Sequence, residues 1–554
     1  MSEHESLTFE QTPLLPSSNP ASGALSETLA NEPSSPQHAA ANQTVSPVRG
    51  VLIAMSLGTL IFLQATNISL LTTTQSTIAA DLDAFEKASW FTSAYLIAMS
   101  SIAPLAGRLS QLFSPRLCIF VSTVIFSIGS LIAAFAAGLP VFLLGRAMAG
   151  VGAAGVFTIS IIIVLELTGS KRRGLFVGLL NTGYTIGVAL GAIAAGGLLQ
   201  HVGWRALFWM QSPMALMAGI CLLFSIPTSF TAGKGNDGKY SMLQRIARID
   251  YIGAVTLTSS LVLLLLALSS AKIPILPIIL SAVLLIVFVL NEAYFASEPV
   301  IPVTVLKSRG VLLSCASTLG FMAARWMVLF YTPVYAIAVR GWSPATAGSI
   351  LIPTNSGFAI GGLVVGWLHI RRAGSFYIPC LVTFALFPLT LLVLALTSTP
   401  SSSATLYILS TFANGLCVGA SLNYTLAHIL HLTLPQTHFI VTSLIATFRG
   451  FAGSFGSAVG GGIFARLLRS TLEEGFKNRR MTGEEELIRK LMGSPATVTG
   501  LQGAEKDVAV EGYVVALRGL FLAGAGLAAL MILVQAGTGW RAPMKEIETD
   551  GEEE

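Results

Sequence analysis

Along this chain the charged residues retreat into short connectors, and the stretches between them are apolar on every face. A run of about 20 mostly apolar residues matches the hydrocarbon thickness of a bilayer when it is helical. Fourteen such runs are read, at 50–71, 88–110, 117–137, 140–164, 174–199, 206–226, 251–270, 274–296, 311–338, 345–368, 376–397, 404–430, 438–465 and 512–536. Glycine, alanine and serine recur inside them, as expected of helices that pack closely in lipid. The pattern predicts an all-α integral membrane protein, with the lipid bilayer as its main solvent.

Composition narrows the class further. Hydrophobic residues make up 53% of the chain and charged residues 11%, against about 25% charged in an ordinary soluble protein. The net charge of +5 is spread between spans and forms no patch, which argues against a nucleic-acid partner. Cys118, Cys221, Cys315, Cys380 and Cys417 each stand alone in an apolar run, without metal-ligand spacing. His428, His431 and His438 gather near one junction, but no carboxylate or cysteine joins them, so no metal is expected. No phosphate-cradling glycine loop is present, and no residue set points to an enzyme or a cofactor.

Lysine and arginine in short loops set the orientation. With the N-terminus in the cytosol, one face collects Arg49, Arg108, Arg116, the run 171–173, the 227–250 linker, Lys307, Arg309, Arg371 and Arg372. The opposite short loops carry Lys87, Arg205, Lys272 and Arg340. Both termini are therefore expected on the cytosolic side. Loop 466–511 is also rich in cations and falls on the other side. Long loops cross largely regardless of charge, and the alternative is an error of one span. Its segment 466–491 reads as amphipathic, suited to the membrane interface.

Three arginines fall inside spans: Arg146, Arg325 and Arg449. A cation at mid-bilayer costs roughly 2.5–3.5 kcal/mol on insertion scales, so it marks a pair, a bridge to carbonyls or a water-filled path. No acid is read at comparable depth. The expectation is a central cavity that takes a solute with a carboxylate or another anionic centre, which guanidinium engages through a two-pronged fork. A static polar bridge between helices is the competing reading. Gln64, Asn67, Tyr95, Asn181, Tyr331, Asn355 and Asn423 are further candidates for lining that cavity. Gly183, Gly187 and Gly191 form a stripe that admits a second backbone, either as static packing or as a moving contact.

Several short motifs together resemble the major facilitator superfamily, and within it the fourteen-spanner drug–proton antiporters. Gly107-Arg108-Leu109 and Arg116 match the family's loop between spans 2 and 3, while Gln111 replaces its acid and Ser114-Pro115 its Gly-Arg. That loop forms a cytosolic latch in the family, so the latch here is weakened or rebuilt. Trp90, Tyr95 and Pro104 stand at family positions, and Arg146-Ala147-Met148-Ala149-Gly150-Val151-Gly152 resembles the motif linked to proton coupling. Glu166 and Arg173-Gly174 fit as well, and the glycine stripe resembles the antiporter motif with Ala192 in place of its proline. Asp250-Tyr251-Ile252-Gly253 resembles the start of the extra helix pair. Gly203-Trp204-Arg205, Gln211-Ser212-Pro213 and Thr447-Phe448-Arg449-Gly450 resemble the fungal vacuolar basic amino acid transporters in particular. In span 1, Asn67 stands where the family has an acid, and an amide cannot exchange a proton near neutral pH.

The resemblance implies two six-helix bundles, at 50–226 and 311–536, around an extra pair at 251–296. It implies a secondary active transporter that moves amino acids or similar small solutes across the vacuolar membrane by proton antiport. The alternative is a plasma-membrane efflux pump for drugs or secondary metabolites, and a third reading is a sensor that no longer transports. Residues 1–49 read as a disordered cytosolic tail, and 537–554 as an acidic one. Glu10, Leu14 and Leu15 fit the acidic dileucine pattern, which binds clathrin-adaptor complexes and directs proteins to the vacuole.

Overall fold

The computed structural model describes residues 46–167, 173–227, 250–270, 273–296, 307–369, 376–434, 437–481 and 485–540. Glu10, Leu14 and Leu15 lie outside the described residues, as do the side chains of Arg108, Gln111, Glu166 and Asn181. The described chain is helical, with no strand among the described residues.

The first bundle contains α1 (Pro47–Ser69), α2 (Leu71–Asp81), α3 (Trp90–Leu112), α4 (Pro115–Ala134), α5 (Leu139–Leu167), α6 (Arg173–Trp209) and α7 (Gln211–Ser225). A pair follows, α8 (Tyr251–Ser269) and α9 (Ile275–Tyr294). The second bundle contains α10 (Arg309–Ala338), α11 (Pro344–Ser349), α12 (Leu351–Val364), α13 (Tyr377–Thr397), α14 (Ala404–His431), α15 (His438–Asn478), α16 (Glu485–Gly493) and α17 (Gly503–Ala536). Twelve stretches among the described residues are long and apolar enough to cross a membrane. The spans expected at 88–110 and 206–226 correspond to α3 and α7, which fall outside that set; α7 has 15 residues.

Helix starts follow local chemistry. Ser114 accepts a hydrogen bond from the Leu117 amide ahead of Pro115, and Ser343 does the same for Thr346 ahead of Pro344. Asp250 caps α8 by accepting from the Gly253 amide at 2.8 Å. Its other oxygen accepts from Asn291 Nδ2 at 2.7 Å, which ties α8 to the far end of α9. At mid-height Ser260 and Ser281 each donate to the other's carbonyl, at 2.9 and 2.8 Å. In lipid, such polar contacts and close packing replace the hydrophobic effect as the force between helices. The rest of α9 shows lipid-facing aliphatics, among them Ile275, Leu276, Ile279 and Ile286.

Glycines set the close crossings within each bundle. A Cβ at Gly150 of α5 would strike the Tyr95 carbonyl of α3, and one at Gly357 or Gly361 of α12 would strike the backbone of α14. The outer end of the first bundle is filled by Phe91, Phe142, Trp204 and Phe208, with Phe142 edge-to-face to the other three at 5.2, 5.7 and 5.7 Å. Gly203 breaks α6 with φ of 75°, a conformation that side chains rarely adopt, and so turns Trp204 into this cluster. Arg205 then covers the Trp204 ring at 4.3 Å, pairs with Asp81 and donates to the Ala136 carbonyl at 3.1 Å.

α15 runs for 41 residues and α17 for 34, so much of the stretch 466–511 is helix that extends past the apolar spans. The connection between them carries α16 and a short 3-10 turn at Pro495–Gly500.

Candidate functional site

The three intramembrane arginines divide into two groups. Arg146 on α5 is fully buried. Its Nε donates to the Phe91 carbonyl at 2.8 Å, and its Nη1 donates to Asn67 Oδ1 and, at 3.5 Å, to the Asn67 carbonyl. Its guanidinium lies 4.6 Å from the Tyr95 ring and 5.7 Å from that of Phe208. Asn67 Nδ2 in turn donates to Gln211 Oε1 at 2.9 Å, and Gln211 Nε2 to the Leu207 carbonyl at 2.7 Å. The chain thus runs from α5 through α1 to α7 by way of amides, while Arg146 Nη2 is buried without a hydrogen-bond partner among the described residues. Arg146 bridges helices, which is the competing reading given above for an intramembrane cation.

The other two arginines meet in the second bundle. Arg325 on α10 donates from Nη2 to Asn355 Oδ1 at 3.0 Å, and its guanidinium covers the Phe358 ring at 4.6 Å. Arg449 on α15 approaches the same ring at 5.9 Å. Arg325 is buried while Arg449 keeps partial exposure. Arg325 Nη1, Asn355 Nδ2 and Thr354 Oγ1 are buried without a hydrogen-bond partner among the described residues. From the first bundle Tyr184 of α6 lies within electrostatic reach of both guanidiniums, and its ring packs edge-on against Phe157 at 5.9 Å.

This arrangement has a chemical direction. Two like charges approach one aromatic ring, and neither meets a carboxylate in any ion pair found among the described residues. Their repulsion is strong where water is scarce. An anion held between them would replace repulsion by attraction and satisfy the orphaned donors. Tyr184 and Phe358 are absent from the sequence-based candidates. Tyr184 is hidden inside the glycine stripe, and Phe358 is one of 30 phenylalanines.

The remaining candidates scatter. Gln64 donates to Met99 Sδ at 3.5 Å, and its Oε1 is buried without a partner among the described residues. Tyr95 holds its buried hydroxyl in the same condition beneath Arg146. Asn423 bonds back to the Gly419 carbonyl at 3.0 Å and faces Gly362 and Gly366 of the neighbouring helix. Tyr331 lines a cavity of about 80 Å³ nearer the outer face, together with Gln75, Ser76, Glu86, Ser457 and Met492. Gly187 and Gly191 pack against Ala65, Thr66 and Ser69 of α1, whereas a Cβ at Gly183 would meet nothing within 4 Å. Farther along α6, Gly196 packs against Pro344 and Ala345 of the second bundle. Gly107 touches Thr158, and Arg116 lies half-buried in the first turn of α4. His428 bonds to Thr538 Oγ1 at 3.2 Å and His438 to the Thr433 carbonyl at 3.1 Å, and among the described residues no three potential ligands gather round a metal.

The pattern of the Major Facilitator Superfamily matches residues 57–460. The chain belongs to that superfamily. Among curated relatives, it is 29% identical over 346 residues to Efflux pump apf11 of Gibberella fujikuroi, covering 60% of this chain and 61% of that one. The chain thus matches about three fifths of that relative's length. It is 28% identical over 499 residues to the MFS-type transporter clz4 of Cochliobolus lunatus, covering 87% of this chain and 85% of that one. It is 27% identical over 318 residues to Vacuolar basic amino acid transporter 1 of Saccharomyces cerevisiae, covering 57% of this chain and 56% of that one. In fold it is similar to a bacterial homologue of the human lysosomal transporter Spinster in an inward-facing, unoccupied conformation. There the TM-score is 0.61 at 14% identity, over 90% of this chain and all of the other. Membership of the superfamily and twelve membrane-length apolar helices among the described residues make the protein a multi-pass membrane chain.

Proposed function

We propose that this transporter moves a small organic solute bearing a carboxylate, an amino acid being the leading class, through a site built on Arg325, Arg449, Asn355, Phe358 and Tyr184. The observation that carries the reading is the pair of guanidiniums on one phenylalanine ring with donors left open. Tyr184 comes from the first bundle and the other four from the second, as alternating access between two bundles requires of a shared site. The similarity to a vacuolar amino acid transporter supports both the substrate class and a vacuolar membrane.

Proton antiport through span 1 is poorly supported by the chemistry present. Asn67 and Gln211 exchange no proton near neutral pH. Facilitated movement, or coupling through another group, fits the amide network better.

The test is uptake into proteoliposomes of radiolabelled amino acids beside their amides and decarboxylated amines. The reading expects transport of the acids alone, lost in Arg325→Ala and Arg449→Ala. Equal transport of carboxylate-free analogues, or wild-type rates in both variants, overturns it. A second reading, export of drugs or secondary metabolites at the plasma membrane, is supported by relatives named as efflux pumps. Location separates the two. If Glu10, Leu14 and Leu15 bind a clathrin adaptor, a tagged wild type marks the vacuole and Leu14→Ala/Leu15→Ala moves to the surface. Surface residence of both forms favours export.

A further inference from the structure

The segment after α15 is built to bridge the bundles on the face that the charge rule places outside. Its root belongs to the second bundle. Arg479 pairs with Asp507 of α17 at 3.6 Å and donates to the Ala504 carbonyl at 3.2 Å. The Tyr513 hydroxyl of α17 donates to the Leu491 carbonyl, and Leu491 is fully buried. Pro495 and Val498 are buried where the 3-10 turn meets α10.

The tip reaches the first bundle, at the connection between α2 and α3. Arg489 Nη2 pairs with Asp83 Oδ1 at 3.0 Å, and its guanidinium lies 5.6 Å from the Phe85 ring. Glu486 on the same helix holds Arg489 in place from 3.1 Å. Gly493 lies against the backbone of Phe85 so closely that a Cβ there would overlap the Phe85 Cα and carbonyl. Asp83 itself has φ of 46°, a left-handed conformation uncommon for a residue with a side chain. Beneath this contact Met492 and Pro495 roof the cavity that Gln75, Ser76 and Glu86 line from the first bundle and Tyr331 and Ser457 from the second.

The geometry points to a latch: residues 485–500, rooted in the second bundle, clamp the 83–86 turn of the first and hold the outer face shut. Opening that face requires Arg489 to leave Asp83 and Gly493 to lift off Phe85. The sequence explains why this lies outside the membrane spans. The segment is charged, and it is short enough to hinge between two long helices. Other contacts between the bundles, such as Ser93 with Ser457 at 2.9 Å and Ser100 with Ser454 at 2.9 Å, lie on α3 and α15 and open with the bundles themselves. The latch is a separate element, and its strength can be tuned without touching the substrate site.

The experiment uses the full chain in nanodiscs, with the native cysteines replaced and spin labels at Ala80 and Ser401, exposed positions of opposite bundles. Pulsed electron paramagnetic resonance reads the ratio of long to short label distances. Arg489→Ala and Asp83→Ala are each expected to raise that ratio about 2- to 5-fold, the range for one exposed ion pair. Gly493→Leu, which removes the backbone contact as well, is expected to raise it about 10-fold or more. Arg489→Lys, which keeps a cation between Asp83 and Glu486, is expected to stay near the wild-type ratio, which the loss of either charge does not. Unchanged distributions in both alanine variants, or a lysine variant that opens as far as Arg489→Ala, overturn the latch. Because no substrate enters the measurement, either result is independent of the solute assignment.

Discussion

Gly196 offers a clean test of how the two bundles close. A Cβ built on it falls 2.8 Å from the nitrogen and Cα of Ala345 and from the carbonyl carbon of Pro344. These are backbone atoms, which cannot rotate aside. Ordinary contact begins at 3.4 Å, so Gly196→Ala must part α6 and α11 by about 0.6 Å. Overpacking of this kind costs about 1–3 kcal/mol. The same substitution gains up to about 1 kcal/mol of helix propensity. Gly197→Ala is the internal control: it is the next residue on the same helix, is exposed, and its Cβ would meet nothing within 4 Å. Both variants gain the propensity, and only Gly196→Ala meets the clash. The difference between them is therefore the steric term, about 1–3 kcal/mol, or roughly 5- to 150-fold in the open-to-closed ratio. The assay is the label-distance ratio between Ala80 and Ser401, with thermal unfolding alongside. Gly191→Ala adds a second contrast, since its clash is with Thr66 and Ser69 of the same bundle. It is expected to lower thermal stability without changing the ratio. Equal ratios in Gly196→Ala and Gly197→Ala would refute the assignment of this contact as one that opens.

Three further outcomes follow from the same geometry. Replacing Arg325 by alanine removes its open Nη1 and the bond to Asn355, so KM for a carboxylate substrate is expected to rise about 10- to 150-fold. Lysine keeps the charge without the fork and is expected to fall between, as initial uptake rates will show. Phe142→Ala empties the centre of the Phe91, Trp204 and Phe208 cluster, and a loss of about 3–5 kcal/mol is expected in denaturant unfolding, with no change in substrate preference. In the latch, the Arg489 guanidinium, with Lys490, holds the Glu486 carboxyl below the usual carboxylate range. A depressed folded pKa contributes stability above the unfolded value that is lost only as pH falls through the folded one. That contribution of Glu486 should stay constant from pH 7.5 to 5.5, and the label-distance ratio with it. A rise in the ratio within that window would mean that another group controls closure.

The rough position of the apolar helices was legible in the sequence, because lipid requires each segment to satisfy its own backbone and hydropathy alone marks where that happens. Their number was not, since twelve stretches among the described residues qualify against fourteen expected. The placement of Arg146, Arg325 and Arg449 within long apolar helices was legible from hydropathy too. Their roles were not. Each reads as a cation in an apolar run, and only packing shows Arg146 tied to Asn67 and the Phe91 carbonyl while Arg325 and Arg449 converge on Phe358. Asn67 was marked by its departure from a family pattern, yet its partner Gln211 lies 144 positions away. Such pairs are set by which helices become neighbours, and hydropathy carries no record of that choice. The glycine stripe shows the same division. Its spacing fixes one face of α6, but whether a given glycine meets its own bundle or the other depends on where α1 and α11 pass. The stretch after α15 read as a long charged loop, because charge and length are all that a sequence shows there. Its hold on the 83–86 turn comes from tertiary structure, which brings Arg489 to Asp83 and Gly493 to Phe85 across the whole chain.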